Sequence, residues 1–188
     1  VKKRQAVSGV DINLEQAWKT YGNGNHDTIV AMIDTGIDYT HEDLKDTLWV
    51  NTDEIPGNGI DDDGNGYVDD VYGWNFYNNN NQIFTGEEDS HGTHGAGTIS
   101  AGTGNGIGIA GIVPGNRVRV IALKALGGTD GGGSTAAVIK AIRYAEDNGA
   151  VICNLSLTST VDDKALYEAM KNSSMLFVVA AGNGNPKT

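Results

Sequence analysis

Six residues, Thr28-Ile-Val-Ala-Met-Ile33, form a nearly continuous apolar run that stops at Asp34-Thr35-Gly36. A strand with one wet face alternates apolar and polar residues. A strand without alternation is buried on both faces, as in a parallel sheet covered by helices on two sides. The rest of the chain fits that arrangement. Arg117–Ala125, Val151–Leu157 and Met175–Ala181 read as further strands. Ser134–Asp147 has apolar residues at helical spacing, a Ser N-cap and the stop Asn148-Gly149. Asp162–Lys171 reads as a helix, and His91–Ala101 as one with small residues on its packed side. Asn13–Tyr21 reads as a short helix capped by Asn13, with Leu14, Ala17 and Trp18 on one face. Strand and helix in alternation predict an α/β, three-layer fold, a mostly parallel sheet between helices. Ligands bind such sheets beyond the carboxyl ends of the strands. Asp34, Ser156 and Asn183 lie at or just after three predicted strand ends.

Charge is concentrated in one segment. The 188 residues carry a formal net charge of −11. Between Asp34 and Asp89 stand 11 Asp and 4 Glu against the single base Lys45, so the remainder of the chain is slightly basic. The acidity argues against nucleic acid as the main partner. A hydrophobic fraction of 39% suffices for a core, and no apolar run is long enough to span a membrane. Cys153 is the single cysteine and lies in an apolar run, so it reads as a small buried hydrophobe rather than a reactive thiol. Val1–Arg4 is basic and reads as a frayed end without a signal-peptide pattern.

Within the acidic segment, residues 47–82 are rich in Asn, Asp and Gly and read as a long insertion, which needs something to organise it. Asp61, Asp63, Asn65, Gly66, Tyr67 and Asp69 occupy positions 1, 3, 5, 6, 7 and 9 of the D-x-[DN]-x-[DN]-G calcium pattern. Position 12 is Tyr72 where an EF-hand has a bidentate Glu, so Asp70 or Asp53 would complete the shell. The expectation is a Ca2+ loop without the EF-hand fold. The competing view is a solvated polar loop, which leaves five clustered carboxylates to repel one another.

Three short segments carry groups suited to chemistry. Asp34 ends a buried strand; it could close an Asx-turn or orient a histidine. Ser90-His91-Gly92-Thr93-His94 offers a general base at His91, or a histidine pair for a metal, though a zincin helix has His at i and i+4 with a Glu between. Ala180-Ala181-Gly182-Asn183-Gly184 is either a turn or an amide aimed at an oxyanion. In their order, D-T-G-I-D, H-G-T-H-G-A-G-T and A-A-G-N resemble the subtilisin-like serine proteases, the subtilases, from about Val10 to Asn185.

The resemblance implies a serine endopeptidase acting on polypeptides. Asp34 would hold His91, His91 would shuttle the serine proton, and Asn183 would donate to the oxyanion. Asn154-Leu155-Ser156-Leu157 and Gly131-Gly132-Gly133 would flank an extended substrate by strand addition. A second Ca2+ site is implied at Asp43, the Asn105 side chain, the carbonyls of Ile107 and Ile109, and Gln5. Thr158 departs from the family's usual Gly, and Gly95 replaces a branched residue, which predicts looser packing there. None of the eight serines stands in the family's G-T-S context. Residues 1–188 are therefore expected to be the N-terminal two-thirds of a catalytic domain, inactive alone. Its expected partners are a propeptide and the C-terminal segment, and its expected location is extracellular or cell-surface. The alternatives are a non-catalytic peptide-binding or pseudo-enzyme module and, more remotely, a metal hydrolase using His91 and His94.

Overall fold

The structure is a computed structural model describing residues 9, 11–22, 24, 26–115, 117–159 and 161–184. Its elements run α1 (Leu14–Tyr21), β1 (Thr28–Asp34), β2 (Gly73–Asn75), a 3-10 turn (Glu87–Asp89), α2 (Ser90–Ser100), β3 (Val118–Lys124), β4 (Leu126–Gly127), β5 (Gly132–Gly133), α3 (Thr135–Asp147), β6 (Ile152–Leu155), α4 (Lys164–Asn172) and β7 (Leu176–Val179). Five strands form one sheet in the order β2-β3-β1-β6-β7, every pair parallel. β1 lies at the centre and pairs with β3 along its whole length, Thr28 opposite Val118 and Asp34 opposite Lys124.

The continuous apolar run of β1 serves two cores. Ala31 and Ile33 face one side and pack with Ile121, Leu123, Ala141, Ile142 and Cys153, beneath α3. Val30 and Met32 face the other and pack with Leu44, Leu48, Ala96 and Val120, beneath α2. Two-sided burial is the expected cause of the missing alternation. Cys153 is fully buried, and burial pushes its thiol up to about 12. No described helix is long and apolar enough to cross a membrane.

Four local expectations change. β2 adds an edge strand inside the supposed loop. Gly73 permits it, because a Cβ there would lie 2.0 Å from the Ala122 carbonyl oxygen, and its φ of 129° suits glycine. Asn13 does not cap α1 with its side chain; it takes φ 57°, and its N–H donates to Asp11 Oδ1. Gly95 does not loosen α2, because the Met32 methyl fills the space its Cβ would occupy. β7 is not buried on both faces. Leu176, Val178 and Val179 are at least half exposed, since β7 is an edge strand paired only with β6. Val178, Trp18, Val30, Ile112 and Ile152 line an apolar groove of about 540 Å³ under that edge.

Candidate active site

β1 delivers Asp34 to the carboxyl edge of the sheet, and α2 brings His91 to it in its first turn. Asp34 is fully buried; its Oδ1 accepts the Thr35 N–H at 2.7 Å and lies 2.7 Å from His91 Nδ1. A carboxylate can only accept, so in neutral His91 the proton sits on Nδ1 and the Nε2 lone pair is free to act as a base. The His91 side chain is 61% exposed, so the imidazole faces solvent while the carboxylate beside it is dry. Asp34 Oδ2 is buried and has no partner among the described residues.

Further contacts hold the two segments together across 55 and 57 residues of sequence. The Gly92 N–H donates to Thr35 Oγ1 at 3.1 Å, and the Asp38 N–H to Thr93 Oγ1 at 3.0 Å. A Cβ on Gly92 would stand 2.1 Å from the Gly36 carbonyl oxygen, so glycine is what lets α2 approach β1. His94 is exposed, as is His91. The packed face of α2 is Gly92, Ala96, Gly97 and Ser100, and His94 lies off it. His94 contributes to no metal cluster among the described residues.

A feature absent from the sequence reading stands behind this pair. Lys124, 1% exposed, donates from Nζ to Asp89 Oδ1 and to the Thr35 carbonyl oxygen. Asp89 is fully buried, and its Oδ2 accepts Thr85 N–H at 2.6 Å and Thr85 Oγ1–H at 2.9 Å. The signal available was a lysine ending a buried apolar strand, which a solvated surface would not explain.

A cleft of about 760 Å³ opens in front of His91. On one side stands β5, paired antiparallel to β4, and Gly131, Gly132 and Gly133 line it. Ser156 and Leu157 line it too, together with Glu87, Glu88 and Asp130. Of the strand segment expected to meet substrate, Asn154 and Leu155 do not reach the cleft lining. Leu155 points into the core and Asn154 borders the apolar groove, as period-two alternation requires. Asn183 follows β7, exposed and outside the cleft lining; its neighbour Gly182 lies beside Thr158, which does line the cleft.

The acidic insertion wraps around its own carboxylates. Glu54, Asp63 and Asp70 each bring an oxygen within 4.8 Å of the other two, and Glu54 and Asp70 are buried. Asn65 Nδ2 bridges Asp63 and Asp70, and Asp61 accepts the N–H groups of Asn65 and Gly66. Burial pushes the Asp63 carboxyl up, but hydrogen bonds led by Asn51 outweigh it and leave it below the usual range. Tyr144 donates to Asp70 Oδ2 at 2.6 Å and tethers the loop to α3. The Tyr67 ring packs edge-on against Trp74, Phe76 and Tyr144. Asp69 takes φ 55°, and its carboxylate accepts the N–H groups of Gly57, Asn58 and Gly59, away from the Glu54, Asp63 and Asp70 group. Glu54, missed in the sequence, joins Asp63 and Asp70 and accepts the Asp69 N–H at 3.0 Å; no spacing rule reaches that far upstream of the loop. All-oxygen donors with two buried carboxylates, and no lysine or arginine paired to them among the described residues, fit a hard divalent cation.

The second expected site is folded differently. Asp43 Oδ1 accepts the Asn105 amide at 2.7 Å and Oδ2 accepts the Ile109 N–H at 3.0 Å. The Asn105 hydrogen bond foremost holds the Asp43 carboxyl below its usual range. Asn105 Oδ1 is taken by the Ile107 N–H. The loop thus gathers Asp43, Asn105, Ile107 and Ile109, with the Asn105 amide and the Ile109 N–H turned toward the Asp43 carboxylate. Gln5 lies outside the described residues.

Residues 25–188 match the sequence profile described as the subtilase family. Subtilisin-like protease 1 of Plasmodium berghei is 36% identical over 166 residues, covering 86% of this chain and 27% of that protein. The major intracellular serine protease of Bacillus subtilis is 37% identical over 157 residues, covering 82% of this chain and 42% of that protein. The crystal structure of a cold-adapted subtilisin-like serine proteinase superposes with a TM-score of 0.57 at 24% identity, covering 85% of this chain and 48% of that one. The chain thus spans less than half the length of these relatives.

Proposed function

We propose, from the premise that the chain belongs to the subtilase family, that it contributes the orienting Asp34 and the general base His91 of a serine endopeptidase. The nucleophilic serine would come from outside these 188 residues. The observation that carries this is the buried Asp34 carboxylate 2.7 Å from Nδ1 of an imidazole that opens onto a cleft. Oriented this way, Nε2 takes the serine proton and returns it to the leaving amine, while Asp34 stabilises the imidazolium between the two steps. The Asn183 amide would donate to the oxyanion once the remaining chain completes the pocket. An extended polypeptide would lie between Gly131–Gly133 and Ser156–Leu157, pairing by main-chain hydrogen bonds. The half-exposed β7 and the apolar groove beneath it support further chain packing there. A propeptide and that further segment are the proposed polypeptide partners.

The test is peptide hydrolysis by the full open reading frame containing this sequence. Asp34→Asn is expected to lower kcat by roughly 10^4, because the wrong tautomer is then favoured, and His91→Ala by at least as much. Wild-type turnover that survives both changes would overturn the assignment. We further propose one Ca2+ held by Glu54, Asp63 and Asp70, with Asp61 and Asn65 shaping the loop. Its role would be to organise the insertion rather than to react. An extracellular or cell-surface location is proposed on family grounds alone, against a Bacillus relative named as intracellular; fractionation of the source cells decides it.

A further inference from the structure

We infer that the buried Lys124–Asp89 ion pair is a positioning device that sets His91 over Asp34, an inference that rests on the protease reading above. The triad groups sit on two segments far apart in sequence, and Lys124 touches both. Its Nζ donates to the carbonyl of Thr35, the residue after Asp34, and to Asp89, two residues before His91. Lys124 itself is held in register, opposite Asp34 in the β1–β3 ladder. One cation therefore spans from the strand that carries the carboxylate to the turn that launches the imidazole.

The burial makes that span stiff. Both side chains are 1% exposed or less, so water cannot replace a lost contact, and each charge is satisfied only by the other and by neighbouring polar groups. Asp89 occupies the N-cap position of α2 but makes no side-chain cap bond. Its carboxylate is committed instead to Lys124 and to Thr85. Capping favours Asp at this position; here its acceptor oxygens are used to tie the helix start to the sheet. Asp89 also packs against the loop that follows Asp34, since a Cβ on Gly36 would lie 3.0 Å from Asp89 Cγ. Lys124 and Asp89 touch neither substrate nor reacting atoms, so they act through His91.

The test uses the full open reading frame and two variants. Lys124→Met with Asp89→Asn removes both charges together and avoids stranding one of them. The double variant is expected to keep a wild-type melting profile and KM while kcat falls roughly 100-fold, the scale of an ångström-sized misplacement. The downfield proton resonance of His91 Nδ1–H, sharp in the wild type, should broaden or vanish. A folded double variant with wild-type kcat and an unchanged ring-proton resonance would overturn the inference. Should it fail to fold, Asp89→Asn alone decides the matter by the same two readouts. A wild-type protein that hydrolyses no peptide would refute the protease reading instead, and the His91 resonance would still report whether the pair positions the ring.

Discussion

At the scale of single residues, burial separates carboxylates that look alike in the sequence. Asp69 and Asp70 are neighbours, yet Asp70 is fully buried within the loop and Asp69 turns out to the Gly57–Gly59 backbone. The calcium proposal therefore makes an asymmetric prediction. By isothermal titration calorimetry, Asp63→Asn or Glu54→Gln is expected to lose one Ca2+-binding event, and Asp69→Asn to keep it. Loss in Asp69→Asn alone would restore the plain EF-hand-like ligand set. The spacing of the loop was legible because calcium chemistry imposes a local pattern. The fate of Asp69 was not, because it depends on one left-handed residue and on a turn twelve residues upstream. The pairing of Lys124 with Asp89 was equally silent: a lysine ending a buried strand marks a buried charge, but a partner 35 positions away leaves no local signature.

At the scale of elements, close approach and capping decide what is held where. The start of α2 meets the loop after β1 backbone to backbone, through Gly92 and Gly36. Gly92→Ala is expected to cost about 2–3 kcal/mol of stability by overpacking, read as a lowered denaturant midpoint. It should also broaden the Asp34–His91 ring-proton signal. The α3–β7 connection depends on Glu146, whose carboxylate accepts both the N–H and the Oγ–H of Ser174 at 2.7 Å. The Ser174 backbone bond foremost holds the Glu146 carboxyl below its ordinary value of 4.5. A depressed carboxyl stabilises the fold fully above its unfolded value, and that contribution is lost as pH falls through the lower folded value. Glu146→Gln should thus cost about 1 kcal/mol at pH 7, discounted for partial exposure, and nothing once acid has protonated Glu146 in both states. An equal difference at both pH values would contradict the assignment. The long elements were readable from periodicity, down to the Ser134 cap of α3, whose Oγ accepts the Ala137 N–H. β2 was not, since three residues in an Asn- and Gly-rich stretch carry no period, and only the sheet they join makes them a strand.

At the scale of the molecule, the chain builds one side of a site. The sheet's carboxyl edge gathers Asp34, His91, β5 and the Ser156–Leu157 segment around a common cleft. Its opposite resources are unspent: an apolar groove under β7 and an Asn183 standing outside the cleft. The acidity that dominates the composition now divides by role. Asp34 and Asp89 lie at the carboxyl edge of the sheet around His91, Glu54, Asp63 and Asp70 in the loop, and Glu87 and Glu88 on the cleft wall. The proposal that rests most on this geometry is that Asp34 and His91 act on a serine outside residues 1–188. The most direct measurement is to treat the full open reading frame with a fluorophosphonate probe and map the modified residue by mass spectrometry. One labelled serine outside residues 1–188 is expected, with labelling abolished by His91→Ala. A label on any of the eight serines within this chain, or a label indifferent to His91, would contradict it.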